Sequence, residues 1–306
     1  MRLDGRRESS NVEDRRRMSG GQKAGIGGIG AIIIAALFAY LSGGNPLEAG
    51  LQVAQQQMSA PTETIEGESF TEEEQALASD CKKILASTED VWQQVFQQNG
   101  WGNYTTPTLV LFSNQVNSAC GAASAAVGPF YCSGDQKLYV DLSFFTQMKR
   151  QLGVEGNTFA YAYVIAHEIG HHIEYLTGVL NEAHQAMSQT DKTRANQISV
   201  RLELLADYYA GVWAHYEEAA NHSMEYGDLE KGLELAKAIG DDWLQKKARG
   251  RATPETFTHG TSDQRKRWLK AGYQSGDMSV STFDIRNYND LEFLCLLIIR
   301  DDRVLP

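Results

Sequence analysis

His167-Glu168-Ile169-Gly170-His171 is the stretch of this chain whose residue types and spacing point most directly to chemistry. At about 100° per residue, two helical positions four apart differ by about 40°, so both imidazoles leave the same face one turn apart. A single zinc ion asks this of two ligands on one helix. Glu168 projects about 100° to the side, where it can take a proton from water at the metal without ligating it. A catalytic zinc also needs a third protein ligand and one open position. The metzincin spacing is absent, because Glu174 and Thr177 stand where its Gly and His would be. Glu203, in Glu203-Leu-Leu-Ala-Asp207, is the best candidate, and Asp207 one turn later can orient a ligand imidazole from behind. Glu174, one turn beyond His171, and His215 are the alternatives. Ala206, Ala210 and Gly211 are small enough to let the two helices approach closely.

These residues need elements to carry them. Asn157-Thr158 can cap an apolar helix running to about Leu176, and a second long helix is expected from about Ala195 to Ala220. Helical spacing of Leu77, Cys81, Ile84, Leu85, Val91 and Val95 predicts a helix from Glu72 to about Gln98. Pro107–Phe112 and Lys137–Asp141 read as strands, and the Ser133-Gly134-Asp135 turn makes Tyr131 and Leu138 flank a hairpin. A third helix is expected from Leu229 to Lys247 with Asp241 and Asp242 solvated, and Ser262 opens a fourth. The fold class is therefore α+β, mostly helical with a small sheet.

Charge divides the chain. Residues 1–23 hold seven basic against four acidic residues, a net +3, which leaves 21 basic against 35 acidic residues, −14, in the remainder. An acidic body argues against nucleic-acid binding. After the basic head, Ala24 to Leu47 carries no charge and is centred on Ala31-Ile-Ile-Ile-Ala-Ala-Leu-Phe-Ala-Tyr-Leu41. About 20 such residues cross a bilayer as a helix. The expected division is a cytoplasmic head at 1–23, a transmembrane anchor at 24–43, a Gln/Glu/Ser-rich linker at 44–70 and a folded domain at 71–306. Arg-rich flanks stay inside, so the domain is expected outside a bacterial cell membrane crossed once. A cleaved signal peptide competes, against which stand the long head and the lack of a small-x-small cleavage site.

The four cysteines suit an oxidising compartment. Cys120 and Cys132 bracket a Gly/Ala/Ser-rich loop that a disulfide could close, and a Cys81–Cys295 bond would tie the domain's start to its end. A cysteine-only metal site is the rival, but no pair has the two-residue spacing of a zinc ribbon.

A His-Glu-x-x-His helix followed by Glu-x-x-x-Asp resembles the gluzincin branch of metallopeptidases. Gly5-Arg-Arg-Glu-Ser-Ser-Asn-Val-Glu-Asp-Arg15, Cys120-Gly…Gly128-Pro-Phe-Tyr-Cys132 and His259-Gly-Thr-Ser-Asp-Gln-Arg265 look like the YpfJ-like neutral zinc metallopeptidase family of bacteria, over nearly the whole chain. The resemblance implies a zincin-like fold, one zinc per chain, a peptide or protein substrate and a place in the cell envelope. It also gives His259 and Arg265 a part as oxyanion donors, since membrane-embedded gluzincins carry a His and an Arg at a similar place. The structural alternative is a helix cap for His259 and an acidic partner for Arg265. His172, His184 and His222 read as surface or packing residues. Two other functions stay open: an inactive zinc-binding envelope module, against which an intact Glu168 weighs, and a zinc amidase acting on non-peptide amides.

Overall fold

The computed structural model describes residues 1–17, 70–124 and 128–292. Thr71 begins the first long helix with a capping box, its side chain accepting from the Glu74 N–H while the Glu74 side chain accepts from the Thr71 N–H. Three glutamates in the opening turn complement the helix dipole. This helix, α1 (Glu72–Gln98), buries Leu77, Cys81, Ile84, Leu85, Val91 and Val95, the positions its periodicity singled out.

A four-stranded sheet has the order β1 (Val12–Asp14), β2 (Thr108–Phe112), β6 (Lys137–Asp141), β5 (Phe130–Cys132). The first two pairings are parallel, and β5 runs antiparallel to β6 with Tyr131 opposite Leu138. A separate hairpin joins β3 (Gln115–Ser118) to β4 (Gly121–Ser124). The helices that follow are α2 (Ser143–Leu152), α3 (Thr158–Leu176), α4 (Val179–Ser188), α5 (Lys192–Asn221), α6 (Asp228–Ala238), α7 (Asp241–Arg249) and α8 (Ser262–Ser275). Asn157 caps α3 by accepting the Ala160 N–H at 2.8 Å. The mostly helical α+β class read from the sequence is what the fold shows.

Helix α3 runs through the core, burying Ile165, Ile169 and Ile173. It crosses α5 at Gly170, where an added Cβ would lie 2.8 Å from the Ala206 Cα. Ala206 thus serves the close approach expected of it. Gly211 instead faces α8, where a Cβ would meet the Leu269 carbonyl.

Three expectations change. The helix expected over 229–247 breaks at Gly240, whose backbone lies so close to Ser262 that no side chain fits. The break buries Asp241 instead of leaving it solvated. Residues 1–17 are not a separate head: they supply β1, and Met1 and Leu3 join the core. Cys81 has a free thiol among the described residues, and its burial pushes it up to about 12. Cys295 lies outside the described residues, as do the anchor expected at 24–43 and the linker up to residue 69. Among the described residues no helix is long and apolar enough to cross a membrane. The Cys120–Cys132 disulfide is formed, and it ties the β3–β4 turn to the end of β5.

Candidate metal centre

Helix α3 presents His167 and His171 on one face, and α5 brings Glu203 opposite them. One ligand atom from each of the three lies within 4.8 Å of the others. The Nε2 of His167 is 3.3 Å from Glu203 Oε2, and the Nε2 of His171 is 3.7 Å from Glu203 Oε1. Both Nε2 atoms therefore converge on one carboxylate, and both Nδ1 atoms point away from it.

The Nδ1 atoms are held by two different carboxylates. His167 Nδ1–H donates to Asp207 Oδ1 at 2.9 Å, and His171 Nδ1–H donates to Glu174 Oε2 at 2.8 Å. Each bond fixes the tautomer that leaves Nε2 free to ligate. Asp207 backs the His167 ring. Glu174, the alternative third ligand, sits one turn beyond His171 on the same helix, with its carboxylate behind the His171 ring. His215 lies elsewhere, its Nδ1 bonded to the Tyr273 carbonyl.

Asp207 is fully buried and has two further partners. Tyr163 donates its hydroxyl to Oδ1 at 2.6 Å, while Arg265 donates Nε to Oδ2 at 2.8 Å and Nη2 to Oδ1 at 3.0 Å. This corrects the expectation for Arg265. It lies 3 % exposed on the Nδ1 side of His167, with Nε and Nη2 both bonded to Asp207. Tyr163 was missed, although its spacing of four before His167 puts it on the ligand face.

Glu168 is close to fully buried, and burial raises its pKa although the two imidazoles and the Tyr131 backbone N–H pull the other way. A carboxylate made more basic by burial is better suited to take a proton from water. His259 is different in kind. Its side chain is half exposed, with Nδ1 3.3 Å from Asp241 Oδ1, and it lies near enough to Glu203 for their charges to interact. Buried Asp241 also accepts the backbone N–H groups of Thr258 and His259, so it fixes the loop that carries this imidazole. Asp241 had no sequence signal beyond its lying in an apparently continuous helix.

The charges show whether a divalent metal fits. Burial opposes charge on both imidazoles, yet Asp207 with Glu203 raises His167 to about 10, and Glu174 with Glu203 raises His171 to about 9. For Glu203 burial works toward protonation, but His259 and the two ligand histidines outweigh it and hold the carboxyl well below the usual carboxylate range. A site whose histidines hold extra protons against burial is short of positive charge. A dication displacing those two protons leaves the total charge unchanged, and two imidazoles with one carboxylate are a zinc donor set.

Comparison with known proteins agrees with this donor set. A family model described as "Putative neutral zinc metallopeptidase" matches residues 1–283. The chain is 42% identical over 290 residues to YpfJ of Escherichia coli K12, covering 90% of this chain and 96% of that one. It is 40% identical over 211 residues to Rv2575 of Mycobacterium tuberculosis H37Rv, covering 65% of this chain and 69% of that one. No solved structure matches.

Proposed function

The chain belongs to the neutral zinc metallopeptidase family, and from that premise we propose that it is a membrane-associated peptidase using one zinc held by His167, His171 and Glu203. The observation that carries the reading is the convergence of both Nε2 atoms on Glu203, with each Nδ1 secured by a carboxylate and Glu168 beside them. Zinc, when bound, supplies a positive charge that acidifies water and polarises a carbonyl.

The remaining work falls to the chain. Glu168 takes a proton from the attacking water and delivers it to the departing amine, aided by burial that keeps its carboxylate basic. Asp207 and Glu174 hold the ligand rings in one orientation, and Arg265 with Tyr163 holds Asp207. His259, braced by Asp241 on the open side, donates to the developing oxyanion. The Cys120–Cys132 bond favours placement outside the cytoplasm.

The test uses two variants of the full chain. Glu168→Gln should bind one zinc per chain and lose peptide hydrolysis, since an amide cannot accept the proton. Wild-type turnover in that variant would end the proposed mechanism. His259→Ala should keep its zinc and lower turnover by about 10²–10³; an unchanged rate would return His259 to a structural role.

A further inference from the structure

Helix α5 carries more than a metal ligand. Ser199 stands four residues before Glu203 and Asn196 seven before it, so the three share one side of α5 over about 10 Å. A serine inside a helix commonly turns its hydroxyl back onto the carbonyl one turn earlier. Ser199 instead donates outward, to the Thr258 carbonyl at 2.9 Å. Three residues earlier on each segment, Asn196 Nδ2 donates to the Glu255 carbonyl, also at 2.9 Å. Residues 255–258 therefore run alongside α5 toward Glu203, and the next residue is His259. Gly260 continues the contact, since a Cβ there would lie 3.3 Å from the side chains of Val200 and Leu204.

The Ser199 bond matters because of the peptide group it holds. The Thr258 carbonyl and the His259 N–H belong to one planar peptide unit. Its oxygen accepts from Ser199, while its N–H donates to Asp241 Oδ2 at 2.7 Å. A planar group gripped at both ends has a fixed tilt, so the His259 Cα, which lies in that plane, has a fixed place. The two grips come from different elements. Asp241 opens α7, whereas Ser199 belongs to the helix that also carries Glu203. Asp241 steadies the loop, and Ser199 registers it against the metal ligand.

We infer that Ser199 is a positioning residue, which through the 258–259 peptide unit sets where the His259 imidazole stands relative to Glu203. The inference rests on the reading of His259 as the oxyanion donor. Ser199 touches no reacting atom in this role, so its removal misplaces His259 without deleting it. A misplacement of about 1 Å can cost about 10²-fold in rate. Losing the Ser199 hydroxyl should therefore slow turnover by about tenfold to 10²-fold, less than losing His259 itself. Zinc content and KM should stay at their wild-type values, because the ligands are untouched and an oxyanion donor acts in the transition state rather than on bound substrate.

Two measurements on the full chain test it. Hydrogen exchange of the metal-free protein needs no activity: residues 254–261 should exchange faster in Ser199→Ala than in the wild type. Ser199→Thr, which keeps the hydroxyl, should restore the protection. Unchanged exchange in Ser199→Ala would overturn the inference. Peptide hydrolysis by the zinc-loaded protein then supplies a double-mutant cycle with His259→Ala. Ser199→Ala should lower kcat with KM unchanged, and Ser199→Thr should recover it. Ser199→Ala/His259→Ala should be no slower than His259→Ala alone, since no imidazole is left to position. A multiplied loss in the double variant would show that Ser199 acts by another route and would sink the inference. Wild-type kcat in Ser199→Ala beside a slow His259→Ala would do the same. A fast His259→Ala would instead mark failure of the oxyanion reading, and the positioning role would fall with it.

Discussion

Helix α3 carries three histidines within six positions, and its two faces treat them in opposite ways. On the metal face, His167 and His171 are backed by carboxylates, which raise their pKa values to about 10 and 9 despite burial. On the sheet face, His172 is backed by neutral groups. Its Nε2–H donates to the Thr105 carbonyl at 2.6 Å, and its Nδ1 accepts the Tyr131 hydroxyl at 2.8 Å. Burial then acts without a compensating charge and lowers its pKa to about 4. Adjacent residues of one type, His171 and His172, thus differ in charge preference, the first favoured as a cation and the second as a neutral ring. The group behind the ring makes the difference, which is why each face can be broken separately.

The largest effect is expected at Asp207. Asp207→Ala strips the backing from His167 and leaves Arg265 buried without its partner. Removing one member of a buried pair costs about 3–5 kcal/mol, and losing the group that orients a ligand weakens metal binding by about 10–100-fold. Denaturant unfolding and zinc competition would both register the change; unchanged values would mean that the metal face does not depend on its carboxylates.

Acid should act on the sheet face. A histidine with folded pKa near 4 against 6.5 when unfolded contributes stability that is fully present above 6.5 and is lost as pH falls toward 4. That loss amounts to about 3 kcal/mol at the low end. The pH dependence of the unfolding free energy should be shallower in His172→Gln than in the wild type over this window. Equal slopes would show that His172 is not held neutral.

The smallest effect separates the two carboxylates of the metal face. Glu174 bonds His171 through Oε2, while its buried Oε1 has no hydrogen-bond partner among the described residues. Glu174→Gln keeps an acceptor for His171, so it should lower zinc affinity by about tenfold or less and stability by about 1 kcal/mol. A loss as large as that of Asp207→Ala would erase the distinction between them.

Periodicity and spacing determined much of this protein by themselves. His167, Glu168, His171 and Glu203 were legible because helical geometry converts intervals of four into a shared face, and the Asn157 cap fixed where that helix begins. The β5–β6 register followed from a local turn for the same reason: its partners are near in sequence. Long-range assembly was decided only in the tertiary structure. Arg265 looked like a substrate-facing cation until α8, packed on α5, turned its fork onto Asp207, 58 residues away in sequence. Asp241 looked solvated until the break at Gly240 folded its carboxylate under the His259 loop. Arg6 and Arg7 read as part of a separate basic head, but their partners Glu217, Glu89 and Asp90 lie on helices far along the chain. A charge's role depends on what it faces, and sequence spacing reports faces within one element, not between elements that meet only when the chain has folded.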